Sequence, residues 1–142
     1  MDTKAYNNMQ GLFLVSESQY VFGFTVEKLT TAIASVNWRL SAVHDLQATL
    51  KKSNQDILPI KIFEICKPEY SGRLLSVDSL RVYSPFMPCR ISVYETENGK
   101  TYISRMNLGM MDQQIGGLVE EVMKEAFEEM ETLLNEIVIK QL

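Results

Sequence analysis

Arg90-Ile91-Ser92-Val93-Tyr94-Glu95-Thr96-Glu97-Asn98-Gly99-Lys100-Thr101-Tyr102-Ile103-Ser104-Arg105-Met106 is the stretch that decides the fold class. Two alternating runs flank Asn98-Gly99. Alternation with period two marks strands with one buried face, and Asn-Gly supplies the positive φ angles that a tight hairpin turn needs. A two-residue loop sets Glu97 opposite Lys100, Val93 opposite Ser104 and Ile91 opposite Met106. In that register Cys89, Ile91, Val93, Tyr102 and Met106 share one face. Arg90, Ser92, Tyr94, Ile103 and Arg105 share the other, which reads as half solvated.

Immediately upstream, Pro85-Phe86-Met87-Pro88-Cys89 stiffens the entry to the hairpin, because proline fixes φ. Cys89 therefore opens its strand at a defined loop-to-strand junction. Residues 77–88 read as a long loop. Before it, residues 59–66 form an apolar strand interrupted by Lys61 and Glu64, and Pro68 suits the first turn of a short helix over 69–75. Further back, Trp38, Leu40, Ala42 and His44 alternate with Arg39, Ser41, Val43 and Asp45, which is a strand with a mostly apolar face. Asp45 can cap a short helix through Leu46 and Leu50. Leu12-Phe13-Leu14-Val15 is a first strand. Phe22, Val26, Leu29, Ile33 and Val36 fall on one face of an amphipathic helix.

Downstream, residues 108–117 form a connector rich in Met and Gly, and a long helix runs from Leu118 to about Ile137. Val119, Val122, Met123, Ala126, Met130, Leu133 and Ile137 mark its buried stripe. Most of its glutamates fall on the opposite, wet face. The order β-α-β-α-β-α-β-β-α predicts an α+β protein: a mainly antiparallel sheet with helices on one face and a long C-terminal helix. Residues 1–10 read as a flexible tail and 11–142 as a single domain.

The chain has 142 residues and a formal net charge of −4. Its Lys and Arg residues are scattered, which argues against nucleic acid as a partner, since phosphate binding relies on clustered cations. No apolar run approaches the roughly 20 residues that span a bilayer, so no membrane partner is expected. Residues 1–10 lack the basic-then-apolar layout of a secretion signal. The expected location is cytoplasmic, where the two cysteines, Cys66 and Cys89, stay reduced.

The chain resembles the domain-of-unknown-function 302 family of bacteria and archaea. The residues that carry the resemblance are Phe22-Gly23-Phe24-Thr25-Val26-Glu27-Lys28-Leu29, Trp38 with His44-Asp45-Leu46, Ile65-Cys66-Lys67-Pro68, Met87-Pro88-Cys89-Arg90-Ile91-Ser92-Val93-Tyr94-Glu95, and Asn98-Gly99-Lys100. Together they span almost the whole chain. The resemblance implies a curved, mostly antiparallel sheet crossed by a long C-terminal helix, and a homodimer. It implies no activity, and the cofactor, if any, is unknown. Members often carry Cys-Asn-Pro where this chain has Cys66-Lys67-Pro68.

Cys89 is the sharpest candidate for chemistry. It reads either as a nucleophile or soft-metal ligand, with Arg90 close enough to lower its pKa, or as a small core residue beside Ile91 and Val93. Should Cys66 meet Cys89 at one rim of the sheet, His44 and Glu64 could complete a mixed metal site, although closely spaced ligand pairs are missing. The other reading of His44 is a histidine satisfied by a local partner. Tyr83, Phe86 and Met87 put apolar groups on the loop before Cys89, where they could line a pocket or a dimer seam. No catalytic triad, metal spacing or nucleotide fingerprint is present. The expectation is a homodimeric binding module, without catalysis of its own, holding a small-molecule ligand near Cys66 and Cys89. The alternative is thiol chemistry centred on Cys89: sulfur transfer, redox sensing, or binding of a soft metal or haem.

Overall fold

Five strands with alternating or apolar patterns meet in one antiparallel sheet in the computed structural model, which describes residues 11–108 and 116–140. The expected tail over 1–10 and most of the Met- and Gly-rich connector lie outside the described residues. In chain order the elements are β1 (Phe13–Glu17), α1 (Phe22–Ser35), β2 (Arg39–Asp45), α2 (Leu46–Lys51), β3 (Ile60–Cys66) and α3 (Pro68–Leu75). A 3-10 helix (Asp78–Phe86) follows, then β4 (Cys89–Glu95), β5 (Thr101–Met106) and α4 (Gly117–Leu134). The sheet order is β1-β5-β4-β3-β2. The α+β architecture and the long C-terminal helix are as the sequence predicts.

Helix boundaries follow local chemistry. Asp45 accepts a hydrogen bond from the Ala48 N–H at 3.0 Å, so the cap read from sequence starts α2. Pro68 sits in the first turn of α3, where its missing N–H costs nothing. In α1 the buried residues are Thr25, Leu29 and Ile33. Thr25 enters the core because its hydroxyl is satisfied there: it lies 2.6 Å from the Ser18 hydroxyl and donates to the Val21 carbonyl at 2.9 Å. Val36 falls beyond the helix end and is exposed.

The hairpin differs from the sequence reading by one residue. Val93 pairs with Ile103, and Ile91 with Arg105. The Gly99 N–H reaches the Thr96 carbonyl at 2.9 Å, and the Thr96 N–H reaches the Lys100 carbonyl at 3.0 Å. The loop is therefore the three residues Glu97-Asn98-Gly99, closed by Gly99 at φ +81°. The extra loop residue reverses every side chain of β5 relative to β4. Ile103 and Arg105 turn to the side that carries Ile91 and Val93, while Tyr102 joins Tyr94 on the other side, ring centroids 5.9 Å apart.

Arg105 is consequently buried, not half solvated. Glu131 of α4 receives its guanidinium through two bonds, Nε to Oε2 at 2.8 Å and Nη2 to Oε1 at 2.6 Å. Nη1 also donates to Ser16 Oγ at 2.9 Å and to the Ile103 carbonyl at 3.2 Å. A buried guanidinium needs this full set of acceptors. Leu29, Ile33, Phe63, Ile65, Ile91, Val93, Ile103 and Met130 form the main core between sheet and helices. A second core gathers Leu74, Leu108, Val119, Val122 and Met123.

Candidate functional site

Cys89 begins β4 directly after a cis Met87–Pro88 peptide and pairs with Ile65. Its side chain packs against the main core, on the same side as Ile91 and Val93. Cys66 ends β3, with its sulfur 3.5 Å from Ser71 Oγ. The two cysteines border one hollow, together with Trp38, Tyr70, Met87 and Met123. That hollow measures about 30 Å³. Such a volume admits about one or two water molecules, far below the roughly 300 Å³ at which small-molecule sites begin.

Burial, reinforced by the neighbouring Cys66, pushes the Cys89 thiol up to about 11. At neutral pH it therefore stays protonated, and the thiolate that attacks electrophiles or binds soft metals is scarce. Arg90 does not help. As the next residue along the strand it points to the opposite face, where Nη2 sits 3.0 Å from Glu64 Oε1. The expectation that Arg90 lowers the Cys89 pKa is corrected on both counts: the side chain faces away, and the shift runs upward.

His44 shares that outer face. Its Nε2 lies 3.0 Å from the same Glu64 oxygen, so the carboxylate bridges an imidazole and a guanidinium across three neighbouring strands. The local partner expected for His44 is thus Glu64. The sheet separates this trio from Cys89, and the mixed thiolate–imidazole–carboxylate set is not assembled. Among the described residues no group of three His, Cys, Asp or Glu side chains is arranged to hold a metal ion.

Tyr83, Phe86 and Met87 pack onto the second core. Most of the segment read as a loop is the 3-10 helix, with Tyr83 and Phe86 on its inner face and Met87 just past its end. Met87 also borders the small hollow. Their apolar character is used in covering Leu74, Leu108 and Val119.

Lys67 takes an unexpected part. Its ammonium binds both oxygens of Glu129 on α4, at 2.8 and 3.0 Å, and lies 5.1 Å from the Tyr70 ring centroid. The hydrogen bond to Glu129 raises the Lys67 pKa against the opposing effect of burial. Burial, with Glu129 close by, raises that of Tyr70. Lys67 thereby clamps the start of α3 to α4.

Beyond Trp38 and Tyr70 the surface opens into a trough between α1 and α4. One lobe, of about 610 Å³, has Trp38, Tyr70 and Leu133 in its walls and Glu125, Glu128, Glu129 and Glu136 around it. A second lobe, of about 750 Å³, continues along α1 past Ala32 toward Tyr20 and Phe24. Trp38 and Tyr70 border both the first lobe and the hollow beside the cysteines. Sequence reasoning missed this site. The available signals were that Trp38 is the sole tryptophan and that Tyr70 lies in the helix opened by Pro68.

Residues 15–137 match the family described as Domain of unknown function DUF302. The chain belongs to that family. Among solved structures, an uncharacterized conserved DUF302 protein from Bacillus stearothermophilus superposes with a TM-score of 0.72 at 23% sequence identity, covering 87% of this chain and 96% of that one. At this identity the likeness carries the fold alone. None of the curated proteins matches the chain. DUF302 membership thus accounts for the sheet and the long helix and leaves the activity unassigned. No described helix is long and apolar enough to cross a membrane.

Proposed function

We propose that this DUF302 chain is a cytoplasmic, homodimeric binding module without catalysis of its own, and that its ligand cleft is the trough over Trp38 and Tyr70. One observation carries this reading. The space beside Cys66 and Cys89 holds about 30 Å³, whereas the adjoining lobe across Trp38 and Tyr70 holds about 610 Å³, within the range of small-molecule sites. The residues proposed from sequence, Cys89, Cys66 and Met87, then form the back wall of the cleft instead of its contact surface. The aromatic walls together with Glu128 and Glu136, which lie outside the Lys67–Glu129 and Arg73–Glu125 pairs, suit a cationic or amine-bearing ligand. A protonated, partly buried Cys89 supports binding over thiol chemistry, and no observation favours the latter.

Trp38 is the sole tryptophan and reports directly on the cleft. A small-molecule library would be screened by thermal shift and hits followed by Trp38 emission. The expected hits raise the melting temperature and alter that emission. Tyr70→Ala weakens them about fivefold, in line with roughly 1 kcal/mol for an aromatic contact. Steady turnover of any substrate, or hits that leave Trp38 emission unchanged, would overturn the reading.

A further inference from the structure

Lys28 places an ammonium group on an aromatic pair inside the trough. Its Nζ lies 5.5 Å from the Tyr20 ring centroid and 5.8 Å from that of Phe24, and the two rings are 5.6 Å apart. All three side chains border the second lobe, of about 750 Å³. Such a pair of ring faces attracts a cation. Phe24 is half exposed and Lys28 is exposed on a flexible stem, so Lys28 can leave the rings without disturbing α1.

The two lobes are continuous, since Ala32, Ser35, Leu133 and Glu136 border both. The second lobe holds the aromatic pair and Glu27. The shared stretch offers apolar Ala32 and Leu133 with the carboxylate of Glu136. The first lobe holds Trp38, Tyr70 and Glu128. Ion pairs in this region take up Glu121, Glu125 and Glu129, and leave Glu27, Glu128 and Glu136 without one among the described residues.

We propose that the trough takes a linear polyamine, and that Tyr20 and Phe24 form a second ammonium subsite, covered by Lys28 until the ligand displaces it. The proposal rests on the reading of the trough as a ligand cleft and names the class of ligand. A linear polyamine alternates ammonium groups, charged at neutral pH as lysine is, with methylene stretches. One terminal ammonium meets the first lobe and the other meets Tyr20 and Phe24. The methylenes cross Ala32 and Leu133, and an inner ammonium meets Glu136. A short monoamine fills the first lobe alone. Because the ligand takes the place of the Lys28 ammonium on the rings, Lys28 opposes binding of the long ligand and has no effect on the short one.

Titration of the full chain with spermine and with butylamine, followed by calorimetry and Trp38 emission at one ionic strength, tests this. Spermine is expected to bind one molecule per chain, more tightly than butylamine, and both amines to alter Trp38 emission. Lys28→Ala should tighten spermine about threefold and Phe24→Ala should weaken it about threefold, as an exposed cation–π contact implies. Neither variant should change butylamine binding. Lys51→Ala, an equal charge change on α2 outside the trough, is the control and should leave spermine unchanged. If Lys28→Ala acts no differently from Lys51→Ala, or Phe24→Ala binds spermine as the wild type does, the second subsite is overturned. If butylamine alters Trp38 emission and spermine binds no tighter, the polyamine assignment is overturned and the cleft reading stands. If neither amine alters Trp38 emission, the amine preference of the first lobe falls together with this proposal.

Discussion

Cys89 shows how a residue's surroundings decide its chemistry. The proline-stiffened junction does deliver its sulfur to a fixed place, but that place is the margin of a core. The thiol sits near 11, against an ordinary value near 9. Native Cys89 is therefore expected to react slowly with a disulfide reagent at neutral pH, and rapidly once the chain is unfolded. A fast native reaction of Cys89, read by mass spectrometry, would contradict the raised thiol pKa and the partial cover of the core. The same shift carries a stability consequence. Between roughly pH 9 and 11 the native thiol keeps a proton that the unfolded one releases, so stability falls as pH rises through that window. Cys89→Ala should flatten that part of the alkaline decline in denaturation curves. Lys67 acts in the same direction at higher pH: its raised pKa lends stability below the ordinary lysine value, and that stability is lost as pH climbs through the raised one. His44 and Arg90 were legible as chemically interesting residues, but their shared partner was not, because Glu64 lies on a strand distant in sequence from both.

Within single elements local pattern and structure largely agree, for a physical reason. Caps, helix stripes and strand alternation are set by neighbours within a few residues. Asp45, Pro68 and the apolar stripe of α4 through Leu133 fall where local pattern puts them, whereas α4 ends at Leu134 and leaves Ile137, expected in the stripe, beyond the helix. The exception is the hairpin. Asn98-Gly99 marks the turn correctly, yet two-residue and three-residue loops both use a positive-φ glycine, and they differ by one step of register. Gly99 has open space around the position of a Cβ, so Gly99→Ala is opposed by backbone conformation alone. The expected loss is about 1–2 kcal/mol in urea denaturation, with the sheet retained. A neutral result would mean that the loop does not depend on the left-handed residue. The segment over 77–88 was harder to read, since a 3-10 helix has no strong periodic signature and takes its apolar inner face from the second core.

At the scale of the molecule, the single-residue change of register decides what fastens the sheet to its long helix. It turns Arg105 inward, where Glu131 meets it. Glu131→Ala leaves a buried guanidinium without its carboxylate, and an expected cost of about 3 kcal/mol follows. Thermal or chemical unfolding measures it. Arg105→Met combined with Glu131→Leu should recover much of the loss, because replacing both members of a buried pair by apolar groups removes the desolvation cost. A small effect of Glu131→Ala alone would show that water reaches the guanidinium. The same packing opens the trough along α1 and α4 and closes the space beside the cysteines, so the site proposed for binding is a product of the assembled helices.

Local pattern by itself determined the α+β class, the place of the hairpin turn, the dominant last helix and the caps of the short helices, because those depend on side-chain period, caps and turn residues close in sequence. Only the tertiary structure decided which faces are buried, that Arg90 and His44 meet Glu64 across the sheet from Cys89, and that Trp38 and Tyr70 wall a trough. Those facts depend on pairing register and helix placement. Both are fixed by the joint burial of residues far apart in the chain, such as Phe63 with Ile91 or Arg105 with Glu131, and no window of neighbouring residues contains that information.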